Sequence, residues 1–237
     1  MRAFAVGATT SFLLTALAGA TVAQDVAKPV FDWSGFYVGG TVGAFDGGVD
    51  ADNLLIDGNL VVLDPPLLLD LNAPAIGATA GANLQIGHFV LGVEGNVNWL
   101  NGRAVDDRSG DPIAIVVSTD LKQLATLRGR AGVAFENILF FATAGVAVAQ
   151  TDGHLSDIYR RGTYAYSDPQ TFLGWVAGGG VEVGLTERVS LKAEALYHDL
   201  GKRTYAFNAD PAAPYNQITA DGALKGWTAR VGLNFHF

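Results

Sequence analysis

Between Ile76 and Ile86 the chain alternates without a break: Ile76, Ala78, Ala80, Ala82, Leu84 and Ile86 share one parity, and Gly77, Thr79, Gly81, Asn83 and Gln85 the other. A period of two marks a β-strand with one apolar face, because successive side chains leave the backbone on opposite sides. After Gly87 and His88 the pattern resumes, with Phe89, Leu91, Val93, Val97 and Trp99 opposing Gly92, Glu94, Asn96 and Asn98. Read in this way, the chain predicts eight strands, at about 33–45, 76–86, 89–99, 121–135, 138–150, 172–185, 189–199 and 224–237. Short turns at Gly87–His88, Glu136–Asn137 and Thr186–Arg188 alternate with four long connections, at about 46–75, 101–120, 151–168 and 201–222. An even number of antiparallel strands can close on itself and leave no edge. The last strand, "ARVGLNFHF", suits such a closure, with Trp227, Ala229, Val231, Leu233, Phe235 and Phe237 on one face.

Two kinds of eight-stranded barrel are compatible with this rhythm. A soluble barrel points its apolar residues inward. A transmembrane barrel points them at lipid and fills a narrow interior with small and polar groups. Here one face carries Leu, Val, Ile, Phe and Trp, and the other carries glycines beside Asn, Thr, Glu and Arg. The expected fold is therefore an all-β, eight-stranded, antiparallel, up-and-down transmembrane β-barrel, which satisfies every backbone group without water.

Composition fits that reading: 49% of residues are hydrophobic and 16% charged, yet past the first twenty-odd positions no apolar run reaches the roughly 18 residues of a membrane helix. The opening "MRAFAVGATTSFLLTALAGATVAQD" has a single Arg, an apolar run and a small-residue ending, the pattern of a secretory signal cut after Ala20 or Ala23. Residues 1–23 are therefore expected to be a signal peptide, 24–32 a periplasmic linker and 33–237 the barrel. Loss of Arg2 with the signal moves the formal net charge from -8 to -9. That acidity argues against a nucleic-acid partner, which requires a clustered basic face. There is no cysteine, which removes disulfides and thiolate metal sites.

The motifs at the two ends resemble a known family. "DWSGFYVGGTVG", Asp32 to Gly43, is similar to the opening strand of the small outer-membrane β-barrels that include the OmpA membrane domain and the opacity-type, porin-family surface antigens. "RVGLNFHF" resembles the family's terminal signal, with Arg230, Gly232, Phe235 and Phe237 as the residues read by the barrel-assembly machinery. The resemblance implies localisation in a Gram-negative outer membrane, lipid partners including lipopolysaccharide, no cofactor, and a role as a surface-exposed structural protein of the cell envelope. No peptidoglycan-binding domain is expected after the barrel, so the wall-anchoring role of larger relatives is not carried over.

Parity places Glu94, Lys122, Arg128, Arg130, Glu182, Lys192, Glu194, His198 and Arg230 on the inner face. An eight-stranded lumen is just wide enough for side chains to fill it. Ions held there must pair, because an uncompensated buried charge costs several kcal/mol. A closed network is expected, with Glu182 opposite Lys192 and Glu94 serving Arg128 or Arg130. A low-conductance channel for small solutes is the alternative, and a lipid-modifying enzyme a more distant one.

The connections carry further candidates. Residues 53–74, "NLLIDGNLVVLDPPLLLDLNAP", cannot cross lipid, because Asp57, Asp64 and Asp70 would be stranded there and Pro65 and Pro66 remove ladder donors. A hairpin rising above the membrane is the preferred reading, with an adhesive surface as the alternative. Asp46, Asp50 and Asp52, and likewise Asp106, Asp107 and Asp111, offer oxygen ligands without EF-hand spacing and read as solvated acidic loops. Arg160 and Arg161 among Tyr159, Tyr164 and Tyr166 suit anionic glycolipid headgroups or an interfacial tyrosine belt. Among His88, His154, His198 and His236, only His198 with Asp199 stands where outer-leaflet chemistry would occur, but adjacent strand residues face opposite ways. No catalytic or metal-binding residue is assigned.

Overall fold

The computed structural model describes residues 31–56, 58–61, 67–108, 115–157, 164–208 and 217–237. The expected signal peptide, most of the linker, Asp57, Asp64, Pro65, Pro66, Asp111, Tyr159, Arg160 and Arg161 lie outside the described residues, as do the side chains of Asp52, Tyr164 and Tyr166.

The strands are β1 Gly35–Ile56, β2 Asn59–Val61, β3 Leu67–Ile86, β4 Phe89–Arg108, β5 Ile115–Phe135, β6 Ile138–Asp157, β7 Tyr164–Gly184, β8 Val189–Asn208 and β9 Gln217–His236. Apart from β2, each pairs antiparallel with its neighbours in the chain, and β9 pairs with β1 from Tyr37↔His236 upward, closing an eight-stranded up-and-down barrel. β2 only lengthens the tip of β1, through Leu54↔Val61 to Ile56↔Asn59. The first long connection is thus a hairpin that extends the barrel, since β1 and β3 stay paired as far as Ala51↔Leu67.

The strands run to 20–22 residues, about one and a half times as far as the alternation predicts, and the reason is physical. In the lower half of β3, Ile76, Leu84 and Ile86 face outward; higher on the same strand Leu69, Leu71 and Ala73 are buried inside while Asp70 and Asn72 are exposed. The strand continues, but the apolar face changes sides where lipid gives way to water. A reading that ends the strand where the outer face turns polar stops at the membrane surface.

Aromatic side chains mark that surface. Trp99, Trp175 and Trp227 are exposed on the outer wall, and the Tyr197 ring lies 5.5 Å from Trp175 and 5.1 Å from Trp227. At the short-turn end Phe36, Phe89, Phe135, Phe140, Phe235 and Phe237 form the second ring of exposed aromatics. On β4 Phe89 and Trp99 are ten residues apart. That is about 33 Å along a strand, or about 25 Å of height at the usual tilt, the thickness of a barrel's apolar band.

Above the tryptophans the closed cylinder divides. Pairing of β3 with β4 stops at Ala75↔Leu100, and that of β7 with β8 at Trp175↔Asp199. The upper half is therefore two facing four-stranded sheets, β8-β9-β1-β3 and β4-β5-β6-β7, with Phe45, Leu71 and Leu224 packed against Leu100, Leu121 and Leu124 in one apolar core. Each open edge carries an edge-compatible residue. Pro74 adjoins the first opening, and Pro169 lies on the free edge of β7. Gly201, at φ 72°, sits in the bulge between Asp199 and Lys202 that ends β8's pairing with β7. Arg203 Nε donates to the Thr171 carbonyl across the second opening (3.2 Å).

Candidate functional site: the barrel lumen

The interior is filled at three levels. At the short-turn end, the segment before β1 turns inward. Phe31 and Trp33 are buried among Val90, Ala134, Leu139 and Phe141. The Trp33 amide donates to Gln85 Oε1 (2.9 Å), and the Gln85 amide to Ser34 Oγ (3.1 Å). Gly35 reverses the chain at φ 112°, and a Cβ there would sit 2.8 Å from the Phe237 carbonyl oxygen, so only glycine serves. This corrects two expectations: the first strand begins at Gly35 and not Trp33, and Phe31 is part of the barrel's filling and not of a free linker.

The middle level gathers Glu94, Arg128, Arg130, Glu182, Lys192, Glu194 and Arg230, all buried. Arg128 binds Glu94 and reaches Glu194 Oε2 at 2.8 Å. Lys192 Nζ lies 2.6 Å from Glu94 Oε2 and 3.4 Å from Glu194 Oε1. Arg230 Nε donates to Glu194 Oε1 (2.7 Å), and its Nη1 to Asn96 and Asn98. Arg130 Nη2 donates to Glu182 Oε2 (2.8 Å) and its Nη1 to the Tyr37 hydroxyl (3.0 Å), which donates in turn to Glu94 Oε2 (2.7 Å). Glu182 and Lys192 do stand opposite each other in register, but the expected ion pair is not the one formed. Glu182 Oε1 is taken by Ser190 Oγ and Asn234 Nδ2, both at 2.6 Å. Strand adjacency selects Glu94 with Arg128 and Glu194 with Arg230, as the register pairs them, whereas Glu182 and Lys192 take partners across the lumen, Arg130 and Glu94.

Lys122 is a further correction. A bulge between Leu121 and Gln123 shifts the register, so Lys122 points outward and binds Asp152. One inserted residue reverses the parity of everything beyond it. His198 does face inward and is buried, its Nε2 3.0 Å from Thr228 Oγ1.

The third level is the apolar core of the two facing sheets, with Phe172 and Tyr205 rings 6.1 Å apart across the β7–β8 opening. Sequence parity could have found Tyr37, Asn96, Asn98, Ser190, Asn234 and His236, which share the inner face with the charged residues; their neutrality kept them out of the candidate set. Nothing in the local pattern marks Phe31 or Trp33, which lie outside the strand.

The terminal residues divide their roles. Arg230 is inside the charge ring, whereas Phe235 and Phe237 are exposed with rings 5.2 Å apart, and the Phe237 amide donates to the Phe36 carbonyl (3.0 Å). Gly232 lies close to β1, where a Cβ would approach the Gly40 carbonyl oxygen to 2.8 Å. Asp46, Asp50 and Asp70 are exposed, and among the described residues no three His, Asp or Glu side chains converge as a metal site.

Residues 10–237 match the family model described as the outer membrane protein beta-barrel domain. The chain belongs to that family. It is 26% identical over 249 residues to the 31 kDa outer-membrane immunogenic protein of Brucella melitensis biotype 1, covering 95% of each chain. The 22 kDa outer membrane protein of Rhizobium leguminosarum bv. viciae is 27% identical over 75% of this chain and 69% of that one. Among solved structures, OprG of Pseudomonas aeruginosa shares the fold with a TM-score of 0.65 at 13% identity, over 87% of this chain and 98% of its own. This protein is thus an outer-membrane β-barrel of the surface-antigen type, and its two aromatic rings place the membrane on the barrel wall.

Proposed function

We propose that this outer-membrane barrel is a structural protein of the cell envelope, that its lumen is closed, and that it presents its four extended hairpins at the cell surface. The observation that carries the reading is the continuous filling from Phe31 and Trp33, through the charge ring, to the Leu121 and Phe172 core. The immunogenic relatives support surface display of the hairpins. The exposed apolar band supports contact with outer-membrane lipids, and contact with lipopolysaccharide and recognition of Phe235 and Phe237 by the barrel-assembly machinery are part of the same proposal.

A non-catalytic role is supported by a grouping among the described residues that resembles a hydrolase triad. Ser190 Oγ lies 2.6 Å from Glu182 and 2.9 Å from His236 Nε2. The hydroxyl proton goes to the carboxylate, which leaves His236 Nε2 as a donor to Ser190 and not as its base. The acid is on the wrong side of the imidazole to orient it, and the group is buried beneath Phe31. Conductance of the purified barrel in planar bilayers tests closure: current at or near baseline is expected, and a large, steady conductance would replace the closed barrel with a pore.

A further inference from the structure

The buried charges of the lumen do not balance. Arg128, Arg130, Lys192 and Arg230 bring four positive charges and Glu94, Glu182 and Glu194 three negative, so these seven described side chains sum to +1. Tyr37 cannot supply the missing charge, because its hydroxyl proton is donated to Glu94. A net charge in a low-dielectric interior requires a counter-charge.

The same region holds donors without acceptors. Among the described residues Arg128 Nε, Arg230 Nη2, His198 Nδ1 and Thr126 Oγ1 have no hydrogen-bond partner, although each of these side chains is more than nine-tenths buried; Arg230 Nη2 has only the longer ion pair to Glu94 Oε1, at 3.8 Å. Arg130 Nε is also unpartnered, but that guanidinium lies 4.2 Å from the centre of the Phe141 ring, whose π face stands in for an acceptor. No ring is so placed over Arg128 or Arg230 among the described residues.

These groups belong to one layer. Arg128 and Arg230 share Glu194, at 2.8 Å and 2.7 Å. Thr126 is the next inward residue above Arg128 and stands opposite Asn96, a ligand of Arg230. His198 is held by Thr228, the next inward residue above Arg230, and both guanidinium groups act on its ring electrostatically. The Thr228 hydroxyl pairs with Nε2, and in the tautomer in which the hydroxyl donates, the imidazole proton sits on Nδ1 and is a further donor. Leu124 is the next inward residue above Thr126, and Leu196 and Val176 stand level with Thr228 and His198; none of the three has a side-chain hydrogen-bonding group.

We propose that the barrel holds one small monovalent anion, of the halide class, in this layer, bound by Arg128 Nε and Arg230 Nη2 with Thr126 and His198 completing its shell. A single negative charge neutralises the lumen, whereas a di- or trianion would overshoot it. The inference goes beyond closure of the lumen and does not depend on it: bilayer conductance reads the one and halide dependence the other.

The test uses the refolded full-length barrel in detergent, with chloride exchanged for gluconate at constant ionic strength. The unfolding temperature is expected to rise by about 3–6 °C for each tenfold increase in chloride above its dissociation constant, with bromide acting equally. Lys192→Met, which makes the described lumen neutral, is expected to abolish that dependence. Crystals of the wild type grown in bromide are expected to show an anomalous peak between Arg128 and Arg230. Equal stability in chloride and gluconate, or bromide maps with no peak in the lumen, would overturn the proposal. Should Lys192→Met fail to assemble, the wild-type bromide map decides alone.

Discussion

Glu182 and Lys192 face each other across β7 and β8, yet neither binds the other's charge: Arg130 holds Glu182 at 2.8 Å, and Glu94 holds Lys192 at 2.6 Å. The ring of carboxylates and cations closes across the lumen, from β5 to β7 and from β4 to β8, and so ties together strands far apart in the chain.

Glu182→Ala should therefore be felt at Arg130. Removing one partner of a buried pair costs about 3–5 kcal/mol, and the double variant with Arg130→Met should show a coupling of about 1–3 kcal/mol. The coupling of Glu182 with Lys192 should be smaller. Urea unfolding of the refolded barrel in micelles measures both, and a Lys192 coupling larger than that of Arg130 would contradict the observed pairing.

Trp33 is fully buried at the short-turn mouth. Its replacement by Ala should destabilise the barrel by about 3–5 kcal/mol and remove the filling at that end while leaving the charge ring in place. Planar-bilayer recordings should then show no more than brief, small openings. A steady, large current from Trp33→Ala alone would mean that the charge ring does not obstruct ions.

Deletion of Phe237 should lower the amount of heat-modifiable, folded barrel in the outer membrane without reducing export. The variant loses an exposed aromatic and the hydrogen bond to the Phe36 carbonyl that seals the β9–β1 seam. Wild-type levels of folded protein in gel-shift assays would refute an assembly role for the residue.

Protease added to intact cells should cleave the first hairpin, between Asp57 and Asp70, and spare Glu136 and Arg188 in the tight turns of the opposite end. Mass spectrometry of the released fragments locates the cuts. Cleavage at the tight turns in sealed cells would invert the orientation.

The period-two pattern by itself determined strand number, order and the side facing lipid. Side-chain parity is a property of the backbone, and in Ile76–Ile86 or Phe89–Trp99 no tertiary information is needed to read it. It also determined which charged residues share the lumen, with the exception of Lys122, because a bulge is invisible until two strands are paired. Only the tertiary structure decided the upper half of the molecule. There the same alternation continues with its meaning reversed, since the medium outside changes from lipid to water and Leu71 and Leu121 turn inward. The expected partner of Glu94, Arg128, follows from strand adjacency, but only the tertiary structure decided the pairs of Glu182 and Lys192, because in a narrow closed ring a side chain reaches across the lumen as readily as to its neighbour in the sheet. It alone placed Trp33, a residue outside every strand, whose position is set by the apolar mouth that β4, β5 and β6 assemble.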